Sequence, residues 1–577
     1  MNPTDEAILS LAHRWLAHDQ DPTTKAEIAT LVSTSDMPAL RNLLHPPISF
    51  GTAGLRARMS AGYARMNCLT VLLASHGLAS YLLSVTAVSP GVSLRIVVGH
   101  DARRNSARFA RLAAGAFRSK GLEVTWLGQC HTPLVPFVVG KGAAAGVMVT
   151  ASHNPKDDNG YKVYWGNGCQ IVPPVDAGIR EAIAAVDMGG LGWDEGVLER
   201  GDVEVGNAEG EYVERVVGAV RWDEGEGEVE GFTYTAMHGV GAEVVEKVVK
   251  RMRLEDKIHF VETQRLPDPD FPTVKFPNPE EKGALEEAIK TASKSGDRVI
   301  LANDPDADRF AAAELVEGKW IQFTGNQLGV LLASHVLENM MPEGGKYAML
   351  ASAVSSRMLA RMGDVSGRFH FEETLTGFKW LGNKAQDLSK QGFQALYAYE
   401  EAIGFMLSEV VYDKDGVAAM ALFLSAMRQW SKEGLTPWAK LQELYGKYGY
   451  FAEANTYLVS PSPDVTKRLF EDVRKSAPKS VGDRKIQRWR DLTKGYDSAT
   501  ADHVPTLPVD KSAQMITCEL EQGVVFTVRG SGTEPKIKLY VEGTAPTAEA
   551  ALSAAQDVCQ QLIHEWFDPE MNGLRLA

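Results

Sequence analysis

A serine in a turn is the first feature of this sequence that suggests covalent chemistry. The motif T-A-S-H-N-P, residues 150–155, follows the apolar run 145–149. Ser152 is therefore predicted to stand in a loop at the end of a strand, where nucleophiles are commonly held. Its hydroxyl can accept or carry a covalent group. The alternative is an ordinary turn, because Ser, Asn and Pro are also common turn-forming residues.

Three alternating carboxylates form a second candidate site, in the motif N-D-P-D-A-D-R at residues 303–309. Asp304, Asp306 and Asp308 repel one another unless a hard cation lies among them, and Mg²⁺ takes such carboxylates together with water or phosphate oxygens. A calcium-binding EF-hand loop is excluded, because Arg309 and Leu315 stand where that loop needs Gly and Glu. The sequence predicts a magnesium loop, with an acidic surface turn as the alternative.

A third motif, R-G-S-G-T-E-P at residues 529–535, has the composition of a phosphate-binding turn. An arginine fork and the backbone N–H groups of a glycine-rich turn can converge on a phosphate dianion. A plain Gly/Ser loop is the alternative. Weaker candidates, each of which also suits a simple turn, are G-T-A-G-L-R at 51–56, Y-E-E-A-I-G at 399–404 and D-K-D-G at 413–416.

The elements that must position these motifs alternate between short apolar strands and amphipathic helices, which indicates an α/β protein. In such sheets the ligand-binding loops lie at the carboxyl ends of strands, where the three main motifs stand. We expect four domains, since 577 residues exceed what one core serves. Breaks in composition place them at 1–217 with the serine loop, 218–323 with the carboxylate loop, 324–459, and 460–577.

The amino-acid composition disfavours some classes of binding partner. The 60 basic and 74 acidic residues leave a net charge of -14, which disfavours binding to nucleic acid or to an anionic membrane surface. The five cysteines form no C-x-x-C pair, and no basic segment precedes an apolar run at the N-terminus, so we expect a cytoplasmic protein with reduced thiols. The apolar stretch 69–88 is predicted to be a buried helix rather than a membrane span.

Five of these motifs occur in the order found in one enzyme family. T-A-S-H-N-P-K-D-D-N-G-Y-K, D-P-D-A-D-R, T-G-F-K-W-L-G, Y-E-E-A-I-G and R-G-S-G-T-E-P together resemble the α-D-phosphohexomutase superfamily over nearly the whole chain. Within it, G-T-A-G-L-R-A-R-M and E-E-A-I-G-F-M are most similar to the eukaryotic phosphoglucomutase-2/phosphopentomutase branch.

The resemblance implies a four-domain architecture, with three related mixed α/β domains and a smaller C-terminal α+β domain around a central cleft. It implies a sugar phosphomutase that moves phosphate between the C1 oxygen and the terminal oxygen of an aldose, through a phosphoserine and a sugar bisphosphate. Ribose, deoxyribose and glucose phosphates are the expected substrates. Glucose 1,6-bisphosphate or ribose 1,5-bisphosphate is the expected activator.

The resemblance also assigns roles to single residues. Ser152 would be the phosphoserine and would bind Mg²⁺ together with Asp304, Asp306 and Asp308. Lys162 and Arg56 would serve acid/base chemistry and charge stabilisation. Substrate would be bound by Arg56 as well, together with Arg309, Thr376, Gly377, Glu400, Lys414, Arg529, Ser531, Gly532 and Thr533. The sequence departs from hexose-specific relatives at Ala402, which stands where they carry a serine near the sugar.

Several alternatives to a mutase remain open at this point. A glucose-1,6-bisphosphate synthase would use the same Ser152 with an acyl-phosphate donor. A Mg²⁺-dependent aspartyl-phosphate phosphatase would also use a D-x-D-x-D loop. A sugar-phosphate-binding protein without catalysis is disfavoured, because Ser152, Lys162 and the three aspartates are all present. Small sugar phosphates are the expected partners, and a monomer or a weak homodimer is the expected state.

Overall fold

The computed structural model describes residues 3–51, 54–86, 93–222, 227–511, 513–530 and 535–576. The chain divides into two compact units. The first unit comprises Met1–Met340 and Phe378–Gly434, and the second comprises Met341–Gly377 and Leu435–Ala577. Residues of the expected third domain, 324–459, therefore occur in both units.

Helices form the N-terminal part of the first unit: α1 (Asp5–His18), α2 (Pro22–Ser33) and α3 (Met37–Leu44). Each is preceded by a residue whose side chain accepts a backbone hydrogen bond from the first turn, namely Thr4, Asp21 and Asp36. Such caps satisfy N–H groups that the helix itself leaves free. Trp15 is fully buried in the small core of these helices.

The first sheet holds the serine loop. Its strands are β1 (Gly54–Arg58), β2 (Arg95–His100), β3 (Glu123–Gln129), β4 (Ala145–Val149), β5 (Asp158–Trp165) and β6 (Glu204–Val205). They lie in the order β1-β5-β4-β2-β3-β6, with β4, β2, β3 and β6 parallel and β5 and β1 antiparallel to their neighbours. The accompanying helices are α4 (Cys68–Val85), α5 (Ser106–Ser119), α6 (Leu134–Val139) and α7 (Val175–Ala184).

Helix α4 is long and apolar enough to cross a membrane by length and composition, but 67% of it is buried inside the protein. It belongs to the core of the first sheet. The predicted buried helix over 69–88 is therefore confirmed as far as Val85, while residues 87 and 88 lie outside the described residues.

The second sheet holds the carboxylate loop. Its strands are β7 (Phe232–Thr235), β8 (Ile258–Phe260), β9 (Val299–Asn303), β10 (Phe310–Val316) and β11 (Lys319–Gln322). They lie in the order β11-β10-β9-β7-β8, and the carboxylates occupy the turn between the antiparallel strands β9 and β10. The helices of this region are α8 (Glu209–Ala219), α9 (Gly241–Arg251), α10 (Glu262–Arg265) and α11 (Glu286–Ser295).

The chain then passes from the first unit to the second and back. Helix α12 (Gly325–Asn339) belongs to the first unit, and β12 (Tyr347–Ser352), α13 (Met358–Ser366) and β13 (Phe369–Thr374) belong to the second. The return segment contains α14 (Phe378–Lys390), β14 (Gln394–Glu400), β15 (Gly404–Leu407) and α15 (Gly416–Lys432). Strands β12 and β13 pair in parallel, and β14 and β15 form an antiparallel hairpin.

The rest of the second unit is built on one large sheet. Its helices are α16 (Pro437–Tyr448), α17 (Pro463–Ser476), α18 (Ala548–Leu562) and α19 (Pro569–Asn572). Its strands are β16 (Tyr450–Glu453), β17 (Thr456–Val459), β18 (Ser480–Val481), β19 (Arg484–Asp491), β20 (Tyr496–Asp497), β21 (Met515–Leu520), β22 (Val524–Gly530), β23 (Lys536–Ala545) and β24 (Arg575–Leu576). Strands β16 and β17 both pair with β23, so this sheet begins before residue 460.

Candidate active site

Ser152 lies in a strained turn directly after β4, whose five residues are all buried. Its φ of 53° is in the left-handed region, which is costly for a residue other than glycine and is found at functional sites. Its N–H donates to Thr150 Oγ1 at 2.9 Å, which fixes the turn. The serine itself is only 1% exposed. An ordinary surface turn would leave this hydroxyl in water.

The Ser152 hydroxyl contacts the carboxylate loop. Its Oγ donates to Asp304 Oδ2 at 2.7 Å and lies 3.2 Å from His153 Nδ1. Burial and nearby positive charges, chiefly those of Arg309 and Arg56, hold the pKa of His153 well below its usual value. The ring is therefore neutral, and the serine lies between a neutral imidazole and a carboxylate.

The three aspartates of the loop are fully buried, with ligand oxygens within 4.8 Å of one another. Burial raises the pKa of Asp304 well above its usual value, and the charges of Asp306 and Asp308 raise it further. Asp306 Oδ1 and Asp308 Oδ1 are buried without a hydrogen-bond partner. Unpaired buried oxygens are costly, so this cluster fits an oxygen-binding cation and does not fit an acidic surface turn.

Two lysines supply positive charge to the cluster. Lys162 Nζ lies 2.7 Å from Asp306 Oδ2 and 2.6 Å from Asp308 Oδ2, and Lys414 Nζ lies 2.8 Å from Asp308 Oδ2. Although burial raises the pKa of Asp306, the charge and hydrogen bond of Lys162 hold it below its usual value. Burial lowers the pKa of Lys414, but Asp308 and Asp413 raise it more.

The D-K-D-G motif approaches the carboxylate loop closely. The N–H of Gly416 donates to Ala307 O at 3.2 Å. A Cβ on Gly416 would lie 2.2 Å from Arg309 O, so only glycine fits here. This approach brings Lys414 within reach of Asp308.

Two arginines complete the polar surroundings of Ser152. Arg56 is exposed, and its Nη1 donates to Asn154 Oδ1 at 3.3 Å in the serine loop. The Arg309 N–H donates to Asp304 Oδ1 at 3.0 Å. Burial lowers the pKa of Arg309, but the neighbouring carboxylates raise it above its usual value. Both guanidinium groups remain charged beside the serine and can attract an anionic group.

The structure thus brings together, within the first unit, these predicted residues: Arg56, Ser152, Lys162, Asp304, Asp306, Asp308, Arg309 and Lys414. Glu400 ends β14 in the same unit and is half-buried. Thr376, Gly377 and Arg529 belong to the second unit. There Arg529 Nη2 donates to Tyr540 Oη at 3.2 Å. Ser531, Gly532 and Thr533 lie outside the described residues.

Sequence reasoning gave no role to several residues that support the site. Thr132 Oγ1 donates to Asp306 Oδ2 at 2.6 Å, and its N–H donates to Asp306 O at 2.9 Å. Thr150 Oγ1 donates to Asp101 Oδ2 at 2.7 Å. Asp101, Thr132 and Thr150 follow the ends of the parallel strands β2, β3 and β4. The rule that ligand loops follow strand ends would have found them had it been applied to single polar residues.

Comparison with known protein families gives four matches along the chain. The first three are the α/β/α domains I, II and III of phosphoglucomutase/phosphomannomutase, over residues 47–189, 210–316 and 324–448. The fourth is the C-terminal domain of the same family, over residues 494–559. The predicted fold class, three α/β domains followed by a C-terminal domain, is confirmed.

Individual proteins match over almost their full length. The chain is 43% identical to the phosphoribomutase of Saccharomyces cerevisiae, with 97% of this chain and 96% of that protein covered. It is 38% identical to the phosphopentomutase of Homo sapiens, with 97% and 96% covered. It is also 38% identical to the glucose 1,6-bisphosphate synthase of Homo sapiens, with 97% and 94% covered.

A solved structure shares the fold at low sequence identity. Parafusin, a phosphoglucomutase from Paramecium crystallised in an open form, aligns with a TM-score of 0.65 and 16% identity. The alignment covers 92% of this chain and 96% of that one.

Proposed function

Since the chain belongs to the phosphoglucomutase/phosphomannomutase family and is a sugar phosphomutase, we propose that its preferred substrates are pentose phosphates. It would interconvert ribose or deoxyribose 1-phosphate with the 5-phosphate, and glucose 1-phosphate with the 6-phosphate as a second reaction. Full-length similarity to a phosphoribomutase and a phosphopentomutase supports the pentose assignment. One observation carries the mechanism: the Ser152 hydroxyl is held in a strained turn against Asp304.

In this mechanism phosphorylated Ser152 donates its phosphoryl group to the free hydroxyl of the sugar phosphate. The bond from phosphorus to Ser152 Oγ breaks, and a bond from phosphorus to the sugar oxygen forms. Lys162 Nζ, charged beside Asp306 and Asp308, would give a proton to the leaving Ser152 Oγ and take the proton of the sugar hydroxyl in its place. The Arg56 guanidinium would stabilise charge on the transferring group. The sugar bisphosphate then reorients, and its other phosphate returns to Ser152. The enzyme is thereby restored to its phosphorylated form.

The carboxylate loop suits a magnesium ion for two reasons. Its donors are three carboxylates, and two of their buried oxygens have no hydrogen-bond partner. Asp304, Asp306 and Asp308, with an oxygen of phosphorylated Ser152, would hold the ion. When bound, Mg²⁺ supplies neutralisation of charge on the transferring phosphoryl group. Lys162 and Lys414 leave the Oδ1 atoms of Asp306 and Asp308 free for this purpose.

The remaining assignments belong to the same proposal. Glu400 would accept hydrogen bonds from sugar hydroxyls, and Thr376 and Gly377 would also bind substrate. Lys414 and Arg309 would contact phosphate. The distal phosphate would be bound by Arg529, Ser531, Gly532 and Thr533. We also propose the domain limits 1–217, 218–323, 324–459 and 460–577, a cytoplasmic location, and activation by glucose 1,6-bisphosphate or ribose 1,5-bisphosphate.

A bisphosphate synthase is the second candidate, because one full-length relative carries that name. It would phosphorylate Ser152 from an acyl phosphate and transfer the group to glucose 1-phosphate. A direct assay of mutase turnover distinguishes the two activities. We expect turnover of ribose 1-phosphate with a catalytic amount of sugar bisphosphate, and kcat/KM at least equal to that for glucose 1-phosphate.

Two results would contradict the pentose proposal. One is a kcat/KM for glucose 1-phosphate that is about a hundredfold higher than that for ribose 1-phosphate. The loss of a single hydrogen bond in a sugar site does not explain a preference of this size. The other is stoichiometric formation of glucose 1,6-bisphosphate from an acyl phosphate, together with negligible mutase turnover.

A further inference from the structure

We infer that Arg103 is a positioning residue for phosphoryl transfer, which acts by holding the backbone of the Ser152 loop in its strained conformation. The inference rests on the proposed role of Ser152. Arg103 stands in the segment that follows β2 and is 4% exposed. No part of the serine, lysine or carboxylate motifs contains it.

The Arg103 guanidinium donates to carbonyl oxygens along the whole serine loop. Nη2 donates to Ser152 O at 2.5 Å and to Asn154 O at 2.7 Å. Nη1 donates to Pro155 O at 2.8 Å and to Asp158 O at 3.3 Å. One side chain therefore satisfies four backbone carbonyls between the nucleophile and the start of β5.

The guanidinium is itself held in place from two sides. Asp101 Oδ2 lies 3.2 Å from its Nε, and the side chains of both residues are 1% exposed. Asp101 Oδ1 also accepts from the Arg103 N–H at 3.0 Å. On another side the ring centroid of Phe271 lies 5.1 Å from Arg103 Cζ. A buried charge needs such a partner, and the aromatic ring adds a favourable contact with the cation.

The loop needs an external support because its conformation is unfavourable by itself. Ser152 has a φ of 53°, and a strained backbone persists only where its surroundings over-determine it. Asp101 supports the loop in two ways. It pairs with Arg103, and it accepts from Thr150, whose Oγ1 in turn accepts from the Ser152 N–H. Release of the carbonyls would let the Ser152 hydroxyl move away from Asp304.

A lysine cannot replace this arginine. The guanidinium is a rigid planar fork with five N–H donors, whereas an ammonium group is a compact charge with three. Arg103→Lys would keep the ion pair with Asp101 but lose contacts with most of the four carbonyls. This variant therefore retains the buried charge that Arg103→Ala removes, and it tests the hydrogen bonds of the fork separately.

The experiment measures kcat and KM for the mutase reaction of the full-length enzyme and of four variants. Arg103→Ala and Arg103→Lys test the inference, and Ser152→Ala tests the proposed function. Arg118→Ala is the matched control, because Arg118 also donates to a backbone carbonyl, Leu122 O at 3.0 Å, at the far end of α5. Circular dichroism checks that each variant is folded.

We expect both Arg103 variants to lose about 100-fold in kcat with little change in KM, since a displacement of about 1 Å at a reacting group has this effect. Millimolar guanidinium should restore part of the turnover of Arg103→Ala but none of that of Ser152→Ala. Arg118→Ala should behave as the wild type.

Wild-type kcat in a folded Arg103→Ala or Arg103→Lys variant would overturn the inference. A loss of kcat in Arg103→Ala that added guanidinium does not restore would also overturn it. Such a loss would indicate a general structural defect, which the missing group cannot repair. If Arg103→Ala does not fold, the kcat of Arg103→Lys decides. Turnover by Ser152→Ala would instead contradict the proposed function.

Discussion

The Oγ of Ser152 donates a 2.7 Å hydrogen bond to Asp304 Oδ2, although 152 positions separate the two residues in the chain. The serine follows β4 of the first sheet, and the aspartate follows β9 of the second. A nucleophile from one sheet is thereby placed against a cluster of carboxylates from another. Thr132 strengthens the same junction by donating to Asp306 twice.

The carboxylate loop should make activity depend on a divalent cation. Chelation should abolish turnover of the wild type, and Mg²⁺ should restore it. Asp306→Ala should be inactive with or without added Mg²⁺, because it removes one ligand and the partner of Lys162 and Thr132. Steady-state assays after chelation measure both effects. Asp202→Ala, at a half-buried aspartate paired with Arg200, is the control and should retain wild-type turnover.

Wild-type activity that is indifferent to chelators would contradict this account of the loop. The same conclusion would follow if Asp306→Ala kept normal turnover.

Ala402 should influence the choice between pentose and hexose. It lies in the turn between β14 and β15, which Phe310 N–H fixes by donating to Ile403 O at 3.1 Å. Ala402→Ser should raise the ratio of kcat/KM for glucose 1-phosphate to that for ribose 1-phosphate about fivefold, the effect of about 1 kcal/mol from one hydrogen bond. Parallel assays of both substrates measure the ratio.

Ala402→Cys is the matched control, because a thiol of similar size is a much weaker hydrogen-bonding group. An unchanged ratio in Ala402→Ser, or an equal change in Ala402→Cys, would remove Ala402 from the explanation of specificity.

Asp415 should make stability depend on pH. Burial raises its pKa to about 7, and both of its oxygens accept from the buried Tyr212 hydroxyl at 2.8 Å. A carboxyl whose folded pKa is raised contributes stability that is complete at low pH and is lost as pH rises through that value. Between about pH 4 and about pH 7 the wild type should lose up to about 4 kcal/mol relative to Asp415→Asn.

Urea denaturation of both proteins at several pH values measures this difference. Asp415 is the N-cap of α15, and asparagine is an equally good N-cap residue, so the start of the helix is preserved in the variant. A difference in the free energy of unfolding that does not vary with pH would mean that Asp415 is ionised in the folded protein.

The sequence predicts the loops of this site better than the contacts between them. Ser152 and the three aspartates follow strands that are buried on both faces, and such apolar runs are visible in the sequence. The salt bridges of Lys162 depend on strand register, because β5 must pair antiparallel with β4 so that Lys162 lies opposite Met148. Nothing local in the sequence specifies this pairing.

The supporting residues were missed for a similar reason. Asp101 and Arg103 are ordinary charged residues in a turn, and their burial is visible only once β2 lies beside β4. By contrast, the apolar spacing near residues 211–220 predicts one helix within the acidic segment 187–231, and α8 (Glu209–Ala219) confirms it. Local periodicity predicts such an element, whereas burial of a polar residue depends on the tertiary fold.

Identification of the phosphorylated residue tests the phosphoserine mechanism most directly. The enzyme is incubated with a sugar bisphosphate, quenched, and mapped by mass spectrometry with and without hydroxylamine, with Ser152→Ala as control. We predict one phosphate on Ser152 that survives acid and hydroxylamine and passes to added sugar phosphate, and a folded Ser152→Ala variant with neither phosphate nor turnover. A hydroxylamine-labile phosphate on an aspartate of the carboxylate loop, or substantial turnover by Ser152→Ala, would contradict the mechanism.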